Sequence, residues 1–79
     1  MIETGDDLRA ARTRLGWTVY EMGSALRLSG DRQKGGQRVR EMESGSREIT
    51  GPTSVAVEAF LWGFRPQDGW TRTQVASGR

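Results

Sequence analysis

Gln37 and Arg40 stand three residues apart, with Arg38 and Glu41 beside them. Arginine offers two parallel N–H donors and glutamine offers a donor beside an acceptor, the pairings that match guanine and adenine edges in a DNA major groove. Glu41 could accept from a cytosine amino group, orient an arginine, or form a solvated pair. On a helix, Gln37 and Arg40 emerge on one face. The chemistry on offer is recognition rather than bond-making. The chain has no histidine and no cysteine, which removes the usual triads and thiol nucleophiles. Lys34 precedes Gly35 and Gly36, the reverse of the order a phosphate-binding loop needs. A metal site would have to be built from scattered carboxylates, and none has calcium-loop spacing. The expectation is a protein that is not an enzyme and carries neither cofactor nor metal.

These side chains need a helix to carry them. Val39 and Met42 are three apart and would face a core together, and Gly45 supplies a left-handed stop, so the spacing predicts a helix over about 36–44. Upstream, Asp6 and Asp7 open a segment in which Leu8, Ala11 and Leu15 share one side, giving a first helix that ends at Gly16. Thr18 and Glu21 have the spacing of a capping box, with Trp17 and Met22 placed as a hydrophobic staple. The second helix that starts there has apolar positions at Val19, Met22, Ala25 and Leu26, while Gly23 and Ser24 are small enough for another helix to approach. Leu28 to Gly36 reads as a loop, with three glycines and no periodicity. After an extended stretch from Ser46 to Thr50, Gly51-Pro52 opens a fourth helix with Val55, Ala56, Ala59, Phe60 and Trp62 as its apolar face, ending at Gly63. Phe64 to Arg79 reads as an extension docked around Phe64 and frayed after about Thr73.

Seventy-nine residues allow one domain, and 34% hydrophobic residues allow only a small core. The formal net charge is +2 but unevenly placed, since residues 27–47 carry six basic and three acidic groups. A local basic surface suits a polyanionic partner, nucleic acid first, and suits a merely solvated face about as well. No apolar run would cross a bilayer, and the acidic N-terminus lacks the pattern of a secretory signal. With no cysteine, a reducing cytoplasm is the expected compartment.

The order of these features carries a resemblance. Leu8–Leu26, LRAARTRLGWTVYEMGSAL, followed by Val39–Gly45, VREMESG, resembles the helix-turn-helix domain of the Cro/repressor-like family of bacterial and phage regulators. The likeness covers roughly residues 6–63. The family has a basic first helix, a second helix opened by a polar cap with a glutamate three places on, and a reading helix closing in an apolar residue, Glu, any residue and Gly, as in Met42-Glu43-Ser44-Gly45. One departure is the interval between Leu26 and Val39, about twice the family's length, which looks like an enlarged Gly/Lys/Arg-rich turn.

The resemblance implies an all-α, compact four- to five-helix, lambda-repressor-like DNA-binding domain at 1–63, with 64–79 as a C-terminal extension. It implies a sequence-specific regulator of transcription, a repressor or autorepressor, inserting the helix at about 36–44 into the major groove of a palindromic double-stranded operator as a homodimer. Base contacts would fall to Gln37, Arg40, Arg38 and Glu41. Phosphate contacts would come from Thr18 and Val19 at the second helix's start, from Lys34, Gly35, Gly36, Ser46 and Arg47, and from Arg32, although Arg32 and Lys34 read equally well as loop charges. The resemblance also pairs Arg12 with Glu43 in a structural bridge. Trp17, Phe60 and Trp62 sit where they would close a small bundle, while Trp62, Phe64 and Trp70 could instead form a two-fold contact. The alternative is a helix-turn-helix used as a protein-interaction module, such as an antitoxin or adaptor, with Gln37 and Arg40 as the discriminating positions.

Overall fold

A computed structural model describes residues 1–66, which form four helices and no strands among the described residues. They are α1 (Gly5–Leu15), α2 (Val19–Ala25), α3 (Arg32–Ser44) and α4 (Gly51–Leu61). Trp70, expected in a two-fold contact, and the tail expected to fray after about Thr73 lie outside the described residues.

Each helix is bounded by local chemistry. Thr4 caps α1 in a reciprocal box with Asp7, whose carboxylate accepts from the amides of Glu3 and Thr4 at 3.0 and 3.1 Å. Those amides hold the Asp7 carboxyl below its ordinary range. Gly16, at φ 75, ends the helix in the left-handed conformation. Thr18 and Glu21 form the second box, with Thr18 N–H donating to Glu21 Oε1 at 2.8 Å and Glu21 N–H to Thr18 Oγ1 at 3.1 Å. Gly45 ends α3 at φ 92, and Thr50 caps α4 with Pro52 in its first turn, where no amide hydrogen is needed.

The core is formed by Leu8 and Ala11 of α1, Trp17, Val19 and Met22 around the start of α2, Val39 and Met42 of α3, and Val57 and Phe60 of α4, with Ile2 closing one end. Trp17 meets Phe60 edge-on at 5.3 Å between ring centroids. Each large side chain so enclosed contributes about 1.5–3 kcal/mol relative to exposure.

Two expectations are corrected. Residues 28–36 are not all loop. Asp31 caps a helix from Arg32 onward, accepting from the amides of Gln33 and Lys34 at 2.8 and 3.3 Å, and Gly35 and Gly36 are buried inside that helix. The reason is tertiary, because α2 crosses α3 on its glycines. A Cβ on Gly23 would sit 2.5 Å from the carbonyl carbon of Gly35. Close approach of two helices repays what glycine costs in a helix interior, about 1 kcal/mol each relative to alanine. The interval that resembles an enlarged turn is therefore mostly the first half of α3. The turn itself is short, with Arg27 in the left-handed region at φ 54, a position glycine usually takes.

The second correction concerns α4. Val57 is fully buried, whereas Val55 is 68% and Trp62 91% exposed. Trp62 therefore does not close the bundle. Residues 55–62 are apolar except for Glu58, so periodicity could not choose a face. Packing chose the side that carries Val57 and Phe60.

Candidate nucleic-acid interface

α3 has two unlike sides. Gly35, Gly36, Val39, Met42 and Glu43 are buried, while Gln33, Gln37, Arg40 and Ser44 are exposed. The exposed four recur at steps of four, three and four, one stripe of a 3.6-residue helix. Thirteen residues make α3 about 20 Å long. Arg32 and Lys34 lie exposed at its N-terminal end and Arg47 beyond its C-terminal end.

Behind the stripe, Glu43 is locked to α1. Its side chain is 4% exposed, and it accepts from Arg12 Nε at 2.6 Å, Arg12 Nη2 at 3.2 Å and Arg9 Nε at 3.3 Å. Arg12 also donates through Nη1 to the Trp17 carbonyl at 3.0 Å. The expected Arg12–Glu43 pair is thus present, and Arg12 ties α1, the turn into α2 and α3 together. Arg9, not expected from sequence, is the third member. Its own side chain is 59% exposed.

The four expected base-contact residues divide. Gln37 and Arg40 share the exposed stripe, and Gln37 Nε2 is only lightly tethered to Glu41 Oε2 at 3.5 Å. Arg40 donates through Nη2 to the Tyr20 hydroxyl at 3.0 Å and stands 5.2 Å from the centre of that ring. Arg38 turns the other way. It is part-buried and donates to the Leu28 carbonyl, fastening the short turn to α3, so it is removed from the stripe. Glu41 accepts from Arg47 Nε at 2.9 Å in an exposed pair, which fits the solvated-pair reading weighed for it as well as the arginine-orienting one. That bond, with help from Gln37 and the charges of Arg47 and Arg38, holds the Glu41 carboxyl below its ordinary range.

The expected phosphate contacts divide as well. Arg32, Lys34 and Arg47 are exposed cations flanking the stripe. Gly35 and Gly36 are not loop donors, since both are buried against α2 and the Gly35 amide donates to the Asp31 carbonyl at 2.9 Å. The Thr18 amide is already donated to Glu21, and the Val19 side chain is buried. The box takes the Thr18 and Glu21 amides, and the Val19 amide is not part of it. Ser46 is exposed, with its hydroxyl turned to the Glu41 carbonyl at 3.3 Å.

Two stripe-side residues escaped the sequence reading. Gln33 lies four before Gln37, a signal that counts only once α3 is known to start at Arg32. Tyr20 carries no signal within its own segment, because its partners Gly36 and Arg40 lie on α3. Its ring covers Gly36, where an added Cβ would collide with ring Cδ1.

Val55 of α4 and Trp62 at its C-terminal cap are exposed. Phe64 stacks on Phe60 at 6.2 Å and is 57% exposed, while Arg65 donates to the Phe60 carbonyl at 3.0 Å and lies 4.9 Å over Trp17. Phe64 and Arg65 are thereby docked against Phe60 and Trp17. No helix among the described residues is long and apolar enough to cross a membrane, and no cluster of metal-ligating side chains occurs among them. Comparison with protein-family models, with curated proteins and with solved structures found no match.

Proposed function

We propose that this chain is a sequence-specific double-stranded DNA-binding regulator of transcription, with α2 and α3 acting as a helix-turn-helix pair and α3 seated in the major groove. The observation that carries this reading is the exposed Gln33–Gln37–Arg40 stripe, flanked by Arg32, Lys34 and Arg47, on a helix whose opposite side is locked into the core. Gln37 and Arg40 are suited to adenine and guanine edges, and the flanking cations to phosphates, which set register without reading sequence. A rigid backing matters because base readout needs the donors held in place. Val39, Met42 and the Arg12–Glu43 bridge supply it.

One such domain covers one half-site. The exposed Trp62 and Val55 on α4 support a homodimer that spans a palindrome, and occupying a promoter would be sufficient for repression. The same exposed α4 face favours the second reading, a protein-interaction module of the antitoxin or adaptor type.

Fluorescence anisotropy on the DNA upstream of the chain's own gene, against a scrambled duplex and over a range of salt, tests the proposal. A preference of about 10³ or more for the native site is expected for an autorepressor. Equal, weak and steeply salt-dependent binding to both duplexes would leave only the electrostatic attraction and overturn autoregulation. If the double variant Gln37→Ala/Arg40→Ala loses the preference, the stripe is the reading face; a variant that still prefers the native site sinks that assignment.

A further inference from the structure

Tyr20 occupies a seat made for it by glycines. Gly23 of α2 and Gly35 of α3 let the two helices touch backbone to backbone, and one residue along, Gly36 leaves bare backbone under the Tyr20 ring. From that seat the ring faces two cations on the outer side of α3, with Arg40 Cζ 5.2 Å and Arg32 Cζ 5.9 Å from its centroid. Its hydroxyl accepts from Arg40 Nη2 at 3.0 Å. Neither neighbouring carboxylate competes for Arg40, because Glu41 is engaged by Arg47 and Glu43 by Arg9 and Arg12.

An exposed arginine loses much rotamer freedom when it is fixed against a ligand. Here part of that loss has been taken before any ligand arrives. The guanidinium carries five N–H donors in a rigid plane, and the bond to Tyr20 uses one of them. Four remain, enough for a parallel pair directed at two acceptors. Taking α3 as a DNA-reading helix, as proposed above, we infer that Tyr20 is a positioning residue that holds Arg40 for paired hydrogen bonds to O6 and N7 of one guanine. The preference for guanine at one position of the operator then depends on a hydroxyl that touches no base. Arg32 lies over the same ring at 5.9 Å without a hydrogen bond to it.

The test is selection of binding sites from a randomised duplex pool by the full chain and by Tyr20→Phe. This variant keeps the ring on Gly36 and deletes only the hydroxyl, and a thermal melt by circular dichroism checks that it is folded. The wild type is expected to select a motif with a dominant guanine. Tyr20→Phe is expected to lose that preference by roughly five- to a hundredfold, the discrimination a good paired contact carries, with the other positions of the motif as the internal reference. Arg40→Lys should erase the same position, and adding Tyr20→Phe to it should cause no further loss there. An unchanged guanine preference in Tyr20→Phe, or an even weakening across all positions, would overturn the positioning role and leave DNA reading intact. A wild type that selects no motif removes the DNA reading itself, and the Tyr20 assignment falls with it.

Discussion

Arg12 and Arg9 contact the same carboxylate yet stand to lose very different amounts on truncation. Glu43 is 4% exposed and Arg12 20%, so Arg12→Ala leaves a buried, part-satisfied charge and should cost about 3 kcal/mol in urea denaturation. Arg9, at 59% exposed, is largely screened by water, and Arg9→Ala should cost less than about 1 kcal/mol. Equal losses would mean that the carboxylate is shared evenly and that burial is not what distinguishes the two. Asp7 gives a pH-dependent counterpart. Its folded carboxyl lies below its ordinary value because the Glu3 and Thr4 amides favour the charged form. Its contribution is therefore present above the unfolded value and is lost as pH falls through the lowered folded value. Proton titration of the side chain by NMR should find Asp7 titrating below the ordinary carboxylate range. Asp7→Asn should remove that component of the acid sensitivity. Both the Arg12 pairing and the acidic helix start were legible in the sequence, the first through family resemblance and the second through local composition. The Asp7 box with Thr4 was not expected, because the start of α1 was placed at Asp6 rather than at Gly5.

Between elements, the crossing of α2 and α3 reverses a rule that holds for isolated helices. Alanine in place of an interior helical glycine ordinarily stabilises by about 1 kcal/mol. At Gly23 the new Cβ would meet the backbone of Gly35 at 2.5 Å, and backbone does not yield as a side chain does. Gly23→Ala should therefore destabilise, by about 1–3 kcal/mol as for other overpacked sites, and lower the thermal midpoint. Gly51→Ala is the control, since a Cβ there meets nothing within 4 Å. If both substitutions stabilise, the helices do not cross at the glycines. The same crossing explains why Leu28–Gly36 reads as a loop. Glycines at 35 and 36 are breakers by propensity, and only a partner helix makes them assets. Gly36→Ala should force the Tyr20 ring off its seat, seen as a shift of the Tyr20 ring resonances by NMR.

At the scale of the whole molecule, the two exposed surfaces lie on different helices, the polar and basic stripe on α3 and the apolar Val55 and Trp62 on α4. On the function proposed above, one would hold a partner copy and the other a duplex. Trp62 is 91% exposed, so Trp62→Ser should change unfolding free energy by no more than about 0.5 kcal/mol. If α4 is the two-fold contact, the variant should sediment as a monomer at concentrations where the wild type is a dimer, and it should bind a palindromic site more weakly while still recognising a half-site. Unchanged sedimentation would remove Trp62 from the interface and leave the exposed α4 face to another protein.

What the residues alone determined are the features that depend on near neighbours in the chain. The Thr18–Glu21 box, the glycine stops at 16, 45 and 63, proline in the first turn of α4 and the Val39–Met42 pair are set within a turn or two, where backbone hydrogen bonding and side-chain period act directly. What only the tertiary structure decided are the choices left equal by local energy. Those are the start of α3 at Arg32, the buried face of an almost wholly apolar α4, the withdrawal of Arg38 to the Leu28 carbonyl, and the meeting of Tyr20 with Arg40. Each turns on whether a second element comes close enough to repay a glycine, bury one apolar face rather than another, or give a guanidinium an oxygen. That contact is made by residues far apart in the chain, and spacing within one segment carries no record of it.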